Sequence, residues 1–157
     1  MKIKLKENDV KCVVSGHGHT MKCFNYEGIL KWTIPCRADG VNGPGFAGPG
    51  GDTPPGIYEI GLITKTNKSE PLSIWHSYGR WFADLVELEN QEASRGRAGV
   101  GVHGGGTGLK EPLAAEQGWK PTLGCVRLQN RDLETRFIPM CQFIKSKGGK
   151  IYVEVVW

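Results

Sequence analysis

Residues 121–132 read PTLGCVRLQNRD, and they place Cys125 directly after Gly124 and two positions before Arg127. A cysteine that only fills a core needs neither neighbour. A nucleophilic thiol uses both, because a glycine permits a turn with positive φ and a nearby arginine stabilises a thiolate. The stretch therefore predicts a reactive thiol held on a turn.

A purely structural interpretation fits the same residues equally well. Gly124 would then form a plain turn into a strand, and Arg127 would pair with Asp132 or Glu134. In the nucleophilic interpretation, the N–H groups of Gly124 and Cys125 point at one spot and form an oxyanion hole. One donor in such a hole is worth about 3 kcal/mol of transition-state stabilisation. Spacing alone does not decide between the two interpretations.

His103 is the histidine best placed to serve as a base for such a thiol. The apolar alternation AGVGVH predicts a strand that ends at His103, and GGGTG follows it. The glycines let backbone or substrate approach closely, and they free the Gly104 carbonyl to orient the imidazole. His17 and His19 fall on a predicted turn. His76 lies in an aromatic stretch, where a packed histidine is the default and a groove residue the alternative.

The composition predicts a single β-rich domain over residues 1–157. The chain contains 23 glycines and 9 prolines, which is more than long helices accommodate. The net charge of +4 is scattered, which disfavours nucleic-acid binding but is compatible with a polyanionic surface such as a bacterial cell wall. No segment approaches the ~20 apolar residues of a membrane span.

The first third of the chain predicts antiparallel strands. DVKCVVSG and TMKCFNYEG flank the turn-like GHGH, which puts Cys12 opposite Cys23, and ILKWTIPCRAD follows. Zinc bound by Cys12, His17, His19 and Cys23 is an alternative, but structural zinc ligands seldom come from one hairpin. An exposed turn that bears histidines is therefore preferred. A Gly- and Pro-rich loop over residues 39–56 follows within the same domain.

The remaining segments predict further strands and one helical region. GIYEIGLITKT reads as a strand, and LSIWHSYGRWFADLVELENQE is ambiguous between strand and helix. Asn130 is expected to cap a short helix, with Asp132 in its first turn. Pro139 starts a second helical turn or kinks the first, and Gly148 and Gly149 end the helix. KIYVEVVW closes the chain as a strand.

The five cysteines are expected to be reduced thiols. Their odd number, and the lack of an apolar segment in MKIKLKENDVK, argue against a disulfide framework and a secretory signal peptide. A structural disulfide or zinc site built on Cys12, Cys23 and Cys36 is the alternative. Cys141, within FIPMCQFI, is expected to fill the core. The chain is accordingly expected to be synthesised in the cytoplasm and to stay there unless another route exports it.

VHGGGTG followed by TLGCVRLQNRDLE resembles the signature of the L,D-transpeptidase catalytic domain (YkuD-like) family. That signature runs His-Gly, a variable stretch, Ser/Thr-x-Gly-Cys-Ile/Val-Arg, and an Asn or Asp a few residues on. GDTPPGIYEIG also resembles the family's Thr-Pro-x-Gly strand, and with the hairpins and closing strand the resemblance spans most of the chain. It implies an α+β, β-rich fold, a mixed β-sandwich with one or two short helices.

The resemblance implies a role for each matching residue. Cys125 matches the nucleophile, His103 its base, and Gly104 the residue whose carbonyl positions that base. The residues assigned to the oxyanion turn or to substrate binding are Thr122, Gly124, Gly105 and Arg127. Of these, the arginine shapes the site or meets a substrate carboxylate. Asp132 is expected to be structural, through helix entry or a pair with arginine.

The chemistry that the resemblance implies is acyl transfer on peptidoglycan stem peptides, with no metal or organic cofactor. Cys125 would attack the third residue, release the terminal D-alanine and form a thioester that an amine resolves into a 3→3 cross-link. Water or a free D-amino acid in place of that amine would make a carboxypeptidase, an endopeptidase or an exchange enzyme. The expected site of action is the periplasm or cell wall, reached by a route other than Sec, which favours a phage- or secretion-delivered hydrolase or toxin.

Two features depart from the family pattern. Leu123 stands where the family often has a second histidine. The stretch between His103 and Cys125 is longer than usual, which predicts that GLKEPLAAEQGWK forms a lid. The rival interpretation is a cell-wall-binding domain without turnover, which Leu123 favours and the intact Cys125, His103 and Arg127 disfavour.

Overall fold

The hairpins predicted at the start of the chain form strands, and buried residues alternate along them. Val10, Cys12 and Val14 of the first strand are buried, whereas the residues between them are partly exposed. Cys12 lies opposite Cys23 in the next strand, as predicted. This alternation is what a strand with one face in a core requires.

The computed structural model describes residues 2–42, 50–88 and 99–157. Parts of three predicted segments lie outside the described residues: the middle of the Gly- and Pro-rich loop, the end of LSIWHSYGRWFADLVELENQE, and the start of the second glycine cluster. The strands are β1 (Val10–Ser15), β2 (Thr20–Asn25), β3 (Leu30–Arg37), β4 (Gly56–Lys65), β5 (Trp81–Glu87), β6 (Gly101–His103), β7 (Val126–Leu128) and β8 (Ile151–Val156). The helices are α1 (Leu72–Tyr78), α2 (Asn130–Asp132) and α3 (Ile138–Ser146), with a π-helical segment, Leu133–Phe137, between the last two.

The eight strands close into a barrel in the order β1-β2-β3-β7-β6-β5-β4-β8. The prediction of an α+β, strand-rich fold is confirmed, but the prediction of a sandwich is wrong. Strand β8 pairs in parallel with β1 and antiparallel with β4, so the last strand closes the sheet on itself. Alternation along a strand shows which face is buried but not which strands are neighbours, so both architectures have the same pattern.

The helix near the end of the chain packs on the barrel core. It runs without interruption from α2 through the π-helical segment into α3, and its fully buried apolar side chains are Leu133, Phe137, Ile138 and Cys141. The prediction that Asn130 caps this helix is wrong, because Gln129 is the N-cap residue and the Asn130 side chain bonds elsewhere. Pro139 lies in the first turn of α3, and the helix ends before Gly148 (φ 76°), as predicted.

The aromatic segment that was ambiguous between helix and strand contains one of each. Helix α1 ends at Tyr78, the next residue, Gly79, has a φ of 74° in the left-handed region, and β5 begins at Trp81. Strand β5 pairs with β6 so that Phe82 lies opposite His103. The turn between α1 and β5 thus brings aromatic side chains next to the histidine of the candidate site.

The thiols and the imidazoles of the Cys- and His-bearing hairpin lie in different environments. Cys12 and Cys23 are buried in the core, whereas His17 and His19 are exposed on the turn, where the His17 ring contacts the edge of Trp157. Across residues 2–42, 50–88 and 99–157, no group of three or more His, Cys, Asp and Glu side chains is placed to hold a metal ion. None of the helices in this described part is long and apolar enough to cross a membrane.

Candidate active site

Strands β6 and β7 bring the predicted site residues together. They pair in parallel with His103 opposite Arg127, so these two side chains leave the sheet on the same face. Cys125 immediately precedes β7. A cleft of about 430 Å³ opens above this pair, and His103, Cys125, Arg127 and Thr122 all line it. These four sequence-predicted residues thus share one concave site of the size that binds small ligands.

The His103 imidazole is buried and neutral. It is 2% exposed, and its Nδ1 lies 2.7 Å from the Gly104 carbonyl oxygen, the contact that the sequence predicted. Burial and, to a smaller extent, the positive charge of the nearby Arg127 lower the pKa of His103 to about 3, although the bond to Gly104 opposes both effects. Because a carbonyl only accepts, Nδ1 carries the proton and Nε2 keeps a lone pair.

Two aromatic rings hold the imidazole in place. Phe82 stacks on it at a centroid distance of 5.6 Å with 14° between the planes, and Tyr78 meets it edge-on at 5.0 Å. Tyr78 also lines the cleft, so it forms part of the surface that a ligand meets. His76, the alternative groove residue, is not among the described residues that line this cleft. It contributes its backbone carbonyl, which accepts from the Gly106 N–H at 2.6 Å.

Cys125 lies at the edge of the cleft with its thiol only slightly exposed. The residue is 8% exposed, and its Sγ donates to the Gly99 carbonyl at 3.5 Å. The other four cysteines are at most 1% exposed, and no cysteine is in a disulfide. Cys125 is therefore the cysteine that a reagent or substrate in the cleft reaches first.

The turn before Cys125 is held by the Thr122 side chain. Thr122 Oγ1 donates to the Cys125 carbonyl at 2.8 Å and accepts from the Gly124 N–H at 3.0 Å. The predicted positive φ is confirmed, since Gly124 has a φ of 120°. The predicted aim of the Gly124 N–H is not what the structure has, because that group is already bonded to Thr122. Thr122, which also lines the cleft, thus supports the turn through its hydroxyl.

The Arg127 guanidinium binds backbone carbonyls from three segments. Nε donates to Gly104 at 3.4 Å, Nη2 donates to Ser77 at 3.3 Å, and Nη1 donates to Lys120. Burial lowers the pKa of Arg127 from its usual value, while the neighbouring Cys125 and Asp39 raise it. Glu134, one of the two predicted partners, pairs with Arg80 instead. These contacts favour the prediction that the arginine shapes the site.

Gly104 and Gly105 permit the close packing that was predicted for this glycine run. A Cβ on Gly105, whose φ is 67°, would lie 2.6 Å from the His76 carbonyl oxygen and 2.7 Å from the Gly79 nitrogen. A Cβ on Gly104 would collide with Asn130 Oδ1. Backbone from the end of α1 therefore packs directly on this turn, as only glycine allows.

The predicted lid is an irregular segment fastened to the site by buried amides. Gln129 bonds both backbone groups of Gly118, through Oε1 at 3.0 Å and Nε2 at 2.7 Å. Gln117 Nε2 donates to the carbonyls of Gly105 and Leu128, at 3.2 and 2.9 Å. Asn130 Nδ2 donates to two carbonyls of the same segment. The segment is accordingly fastened to the body of the protein, and it reaches the cleft at Lys120.

Asp132 lies in the first turn of α2, as predicted. Burial raises the pKa of its carboxyl, and the positive charges of Arg136 and Arg131 lower it. It is not among the described residues that line the catalytic cleft; it lines a smaller hollow beside Glu116 and Arg131. This position fits a structural role.

Several contributors to the site were not identified from the sequence. Lys120 lines the cleft from an exposed position, and Tyr78 and Phe82 enclose the imidazole. Asn130 and Gln117 hold the backbone around Gly104 and Gly105. The aromatic richness of residues 72–82 was a usable signal for the rings, but nothing in the sequence singles out the two amides.

The fold and the site define the class of this protein. A model of the L,D-transpeptidase catalytic domain family (YkuD) matches residues 17–137, which is more than half of the chain. The chain therefore belongs to the L,D-transpeptidase catalytic domain family. No curated protein matches the chain.

Solved structures share this fold at low sequence identity. Bd1075 from Bdellovibrio bacteriovorus is 13% identical, with a TM-score of 0.60 over 97% of this chain and 48% of that one. The helical cell shape determining protein Pgp2 from Campylobacter jejuni is 19% identical, with a TM-score of 0.58 over 98% and 50%. An L,D-transpeptidase (Yku) from Stackebrandtia nassauensis is 17% identical, with a TM-score of 0.54 over 99% and 59%. The chain spans about half the length of the first two and three-fifths of the third.

Proposed function

We propose that this protein is a cysteine-dependent acyltransferase that acts on peptidoglycan stem peptides. The single observation that carries the proposal is the common cleft of Cys125 and His103, with the imidazole fixed so that its free nitrogen is Nε2. A thiol and an oriented histidine are the two groups that acyl transfer through a thioester needs. The substrate class is taken from the family to which the chain belongs.

In the first step, Cys125 Sγ attacks the carbonyl carbon of the third stem residue while its proton passes to His103 Nε2. The tetrahedral intermediate then expels the terminal D-alanine, whose amine takes the proton from Nε2. The C–N bond breaks as the C–S bond becomes a thioester. An acceptor amine attacks the thioester carbonyl carbon and gives a proton to Nε2. The C–S bond then breaks and the sulfur takes that proton from Nε2, so that the thiol and the neutral imidazole are restored.

The buried histidine determines how this proton moves. Since the pKa of His103 is lowered to about 3, the imidazole is neutral at neutral pH and a stable thiolate–imidazolium pair is disfavoured. The proton therefore leaves Sγ as the C–S bond forms. Two neighbours have opposite effects on the pKa of His103. The positive charge of Arg127 disfavours the imidazolium, whereas the hydrogen bond to the Gly104 carbonyl favours it.

The acceptor sets the outcome of the reaction. An amine of a second stem gives a 3→3 cross-link, a free D-amino acid gives exchange, and water gives L,D-carboxypeptidase or endopeptidase activity. The exposed side chain of Leu123, which is 72% exposed, lies on the rim of the cleft and makes it more apolar. Because the proposed substrate is the cell wall, the proposed site of action is the periplasm or wall.

We propose that Lys120 meets the carboxylate of the donor peptide. All three Arg127 nitrogens donate to backbone carbonyls, and the residue is 5% exposed. Lys120 lines the same cleft from an exposed position, and its ammonium has three donors, of which one contacts the Thr107 carbonyl. The remaining donors can bind an anionic group that enters the cleft.

Mass spectrometry of purified muropeptides tests the proposed function. Tri-, tetra- and pentapeptide stems are incubated with the protein and with Cys125→Ala. Loss of D-alanine, exchange or a new cross-linked dimer with the wild type alone supports the acyl-transfer proposal and identifies the acceptor. Unchanged substrates, or equal products with Cys125→Ala, would refute it and favour a wall-binding domain without turnover.

A further inference from the structure

One peptide group connects the candidate base to a residue on the opposite side of the turn. The carbonyl of Gly104 accepts from His103 Nδ1 at 2.7 Å and from Arg127 Nε at 3.4 Å. The N–H of Gly105 belongs to the same peptide group and donates to Asn130 Oδ1 at 3.0 Å. His103 and Asn130 therefore form hydrogen bonds to the two ends of one peptide group.

The glycines on each side of this peptide leave its orientation open to local rotation. Neither Gly104 nor Gly105 has a Cβ to disfavour a flip, and Gly105 is already in the left-handed region at φ 67°. A flip would turn the carbonyl away from His103 and present an N–H in its place. Nδ1 would then become the acceptor, and the proton would move to Nε2.

The Asn130 side chain itself has one possible orientation. The residue is fully buried, and its Nδ2 donates to the carbonyls of Pro112 and Ala114, at 2.8 and 2.7 Å. Its Oδ1 must therefore face the Gly105 N–H, because turning the amide over would set an oxygen against two carbonyls. Gln117 fixes the surroundings, since its Oε1 accepts from the Asn130 N–H at 2.7 Å and its Nε2 donates to the Gly105 carbonyl.

We infer that Asn130 is a positioning residue that sets the protonation pattern of His103 through the Gly104–Gly105 peptide. By accepting from the N–H end, it holds the carbonyl end on Nδ1 and thereby leaves Nε2 free to take the proton from Cys125. A hydrogen bond at one end of a peptide also strengthens the acceptor at the other end. This inference rests on the proposed function for its role in catalysis, but not for the structural relation itself.

The relation is tested by long-range ¹H–¹⁵N NMR of the full chain labelled with ¹⁵N-histidine, with His103 assigned by its loss in His103→Gln. The wild type should show Nδ1 as the protonated, pyrrole-type nitrogen. In Asn130→Leu, which removes the acceptor, the two nitrogen resonances should shift towards averaged values. Asn130→Asp keeps an oxygen acceptor for the Gly105 N–H. It should restore the wild-type pattern.

Gln129→Leu is the matched control. It also removes a buried amide that fastens the same segment, but it touches Gly118 and not the Gly104–Gly105 peptide. Its His103 spectrum should equal that of the wild type. If its spectrum shifts as much as that of Asn130→Leu, or if Asn130→Leu keeps a protonated Nδ1, the inference is overturned. A wild type with its proton on Nε2 overturns it without any variant.

Turnover provides the second readout. In Asn130→Leu the kcat for D-alanine release should fall roughly 10- to 100-fold with KM little changed, the effect expected for a residue that orients a catalytic group. If the wild type turns over no stem peptide but the NMR pattern follows Asn130, the proposed function fails and the positioning relation stands. If turnover is normal but the spectrum is insensitive to Asn130, the reverse holds.

Discussion

His103 and Arg127 face each other across the parallel β6–β7 pair and share one acceptor, the Gly104 carbonyl. The shared oxygen places a permanent positive charge beside the imidazole. Arg127 therefore adds to burial in keeping His103 unprotonated. The charge that organises three carbonyls around the site thus also helps burial to keep the base neutral.

The buried histidine should make the fold sensitive to acid. The folded pKa of His103, about 3, lies below that of an unfolded histidine, about 6.5. Below pH 6.5 this histidine binds a proton in the unfolded chain but not in the folded chain. The free energy of unfolding therefore falls as the pH falls, and this group contributes about 1.4 kcal/mol per pH unit. When the pH is lowered from 7 to 4.5, the free energy of unfolding, measured by urea titration, should fall by about 2 to 3 kcal/mol less in His103→Gln than in the wild type. Equal losses in the two proteins would contradict the assignment.

Alkylation should distinguish Cys125 from the other thiols. Iodoacetamide at pH 7 should label Cys125 of the folded protein, whereas the other cysteines, each at most 1% exposed, should react only in denaturant. Peptide mapping by mass spectrometry identifies the site. His103→Gln should slow the labelling because the proton acceptor is lost. Label on Cys12, Cys23, Cys36 or Cys141 of the native protein would count against this arrangement.

The cation that meets the donor peptide can be tested with two lysines. Lys120→Met should raise KM for a stem peptide with a free carboxylate roughly two- to fivefold, the scale of an exposed ion pair, with little change in kcat. Lys110→Met is the control, because Lys110 is exposed on the same segment but does not line the cleft. A C-terminally amidated peptide should abolish the difference. Equal KM values for Lys120→Met and wild type would remove Lys120 from substrate binding.

The glycine turn beside His103 should not tolerate a side chain. Gly105→Ala adds a Cβ that meets backbone at 2.6 Å, whereas Gly28→Ala adds one to a residue with a similar φ, 81°, and nothing within 4 Å. Both variants bear a left-handed strain of about 1 kcal/mol. Gly105→Ala should lose at least about 2 kcal/mol more in the free energy of unfolding because packed backbone must move. Similar losses, measured by urea titration, would show that the turn relaxes.

Sequence reasoning reached the residues whose signal is local. His103 was identified because a predicted strand ends at it. Cys125 was identified because Gly124 predicts a turn directly before it. A strand end and a glycine turn are both recognisable from a few adjacent residues. The Gly104 carbonyl contact was predicted for the same reason. The family resemblance then assigned His103 and Cys125 to one active site, whereas spacing alone did not decide between the nucleophilic and the structural interpretation of Cys125.

Most of the features that were missed depend on segments distant in sequence. Asn130 looked like a helix cap, but its amide reaches Gly105 and the 112–114 backbone, and no local pattern records such partners. The Gly124 N–H looked free for an oxyanion, but Thr122 two residues earlier accepts it. Barrel closure depends on β8 pairing with both β1 and β4, which alternation does not specify.

The parallel pairing of β1 with β8 has a consequence for how the chain folds. Val10 is paired with Ile151, and Lys150 donates to Asp9 across a separation of 141 positions in the chain. Contacts so far apart carry a large loop-closure entropy and slow the folding reaction. During synthesis on the ribosome, the backbone groups at the edges of β1 and β4 that pair with β8 stay without strand partners until β8 has been synthesised. A product truncated before Ile151 would keep those edges, and we expect it to aggregate by strand addition instead of folding to a smaller domain.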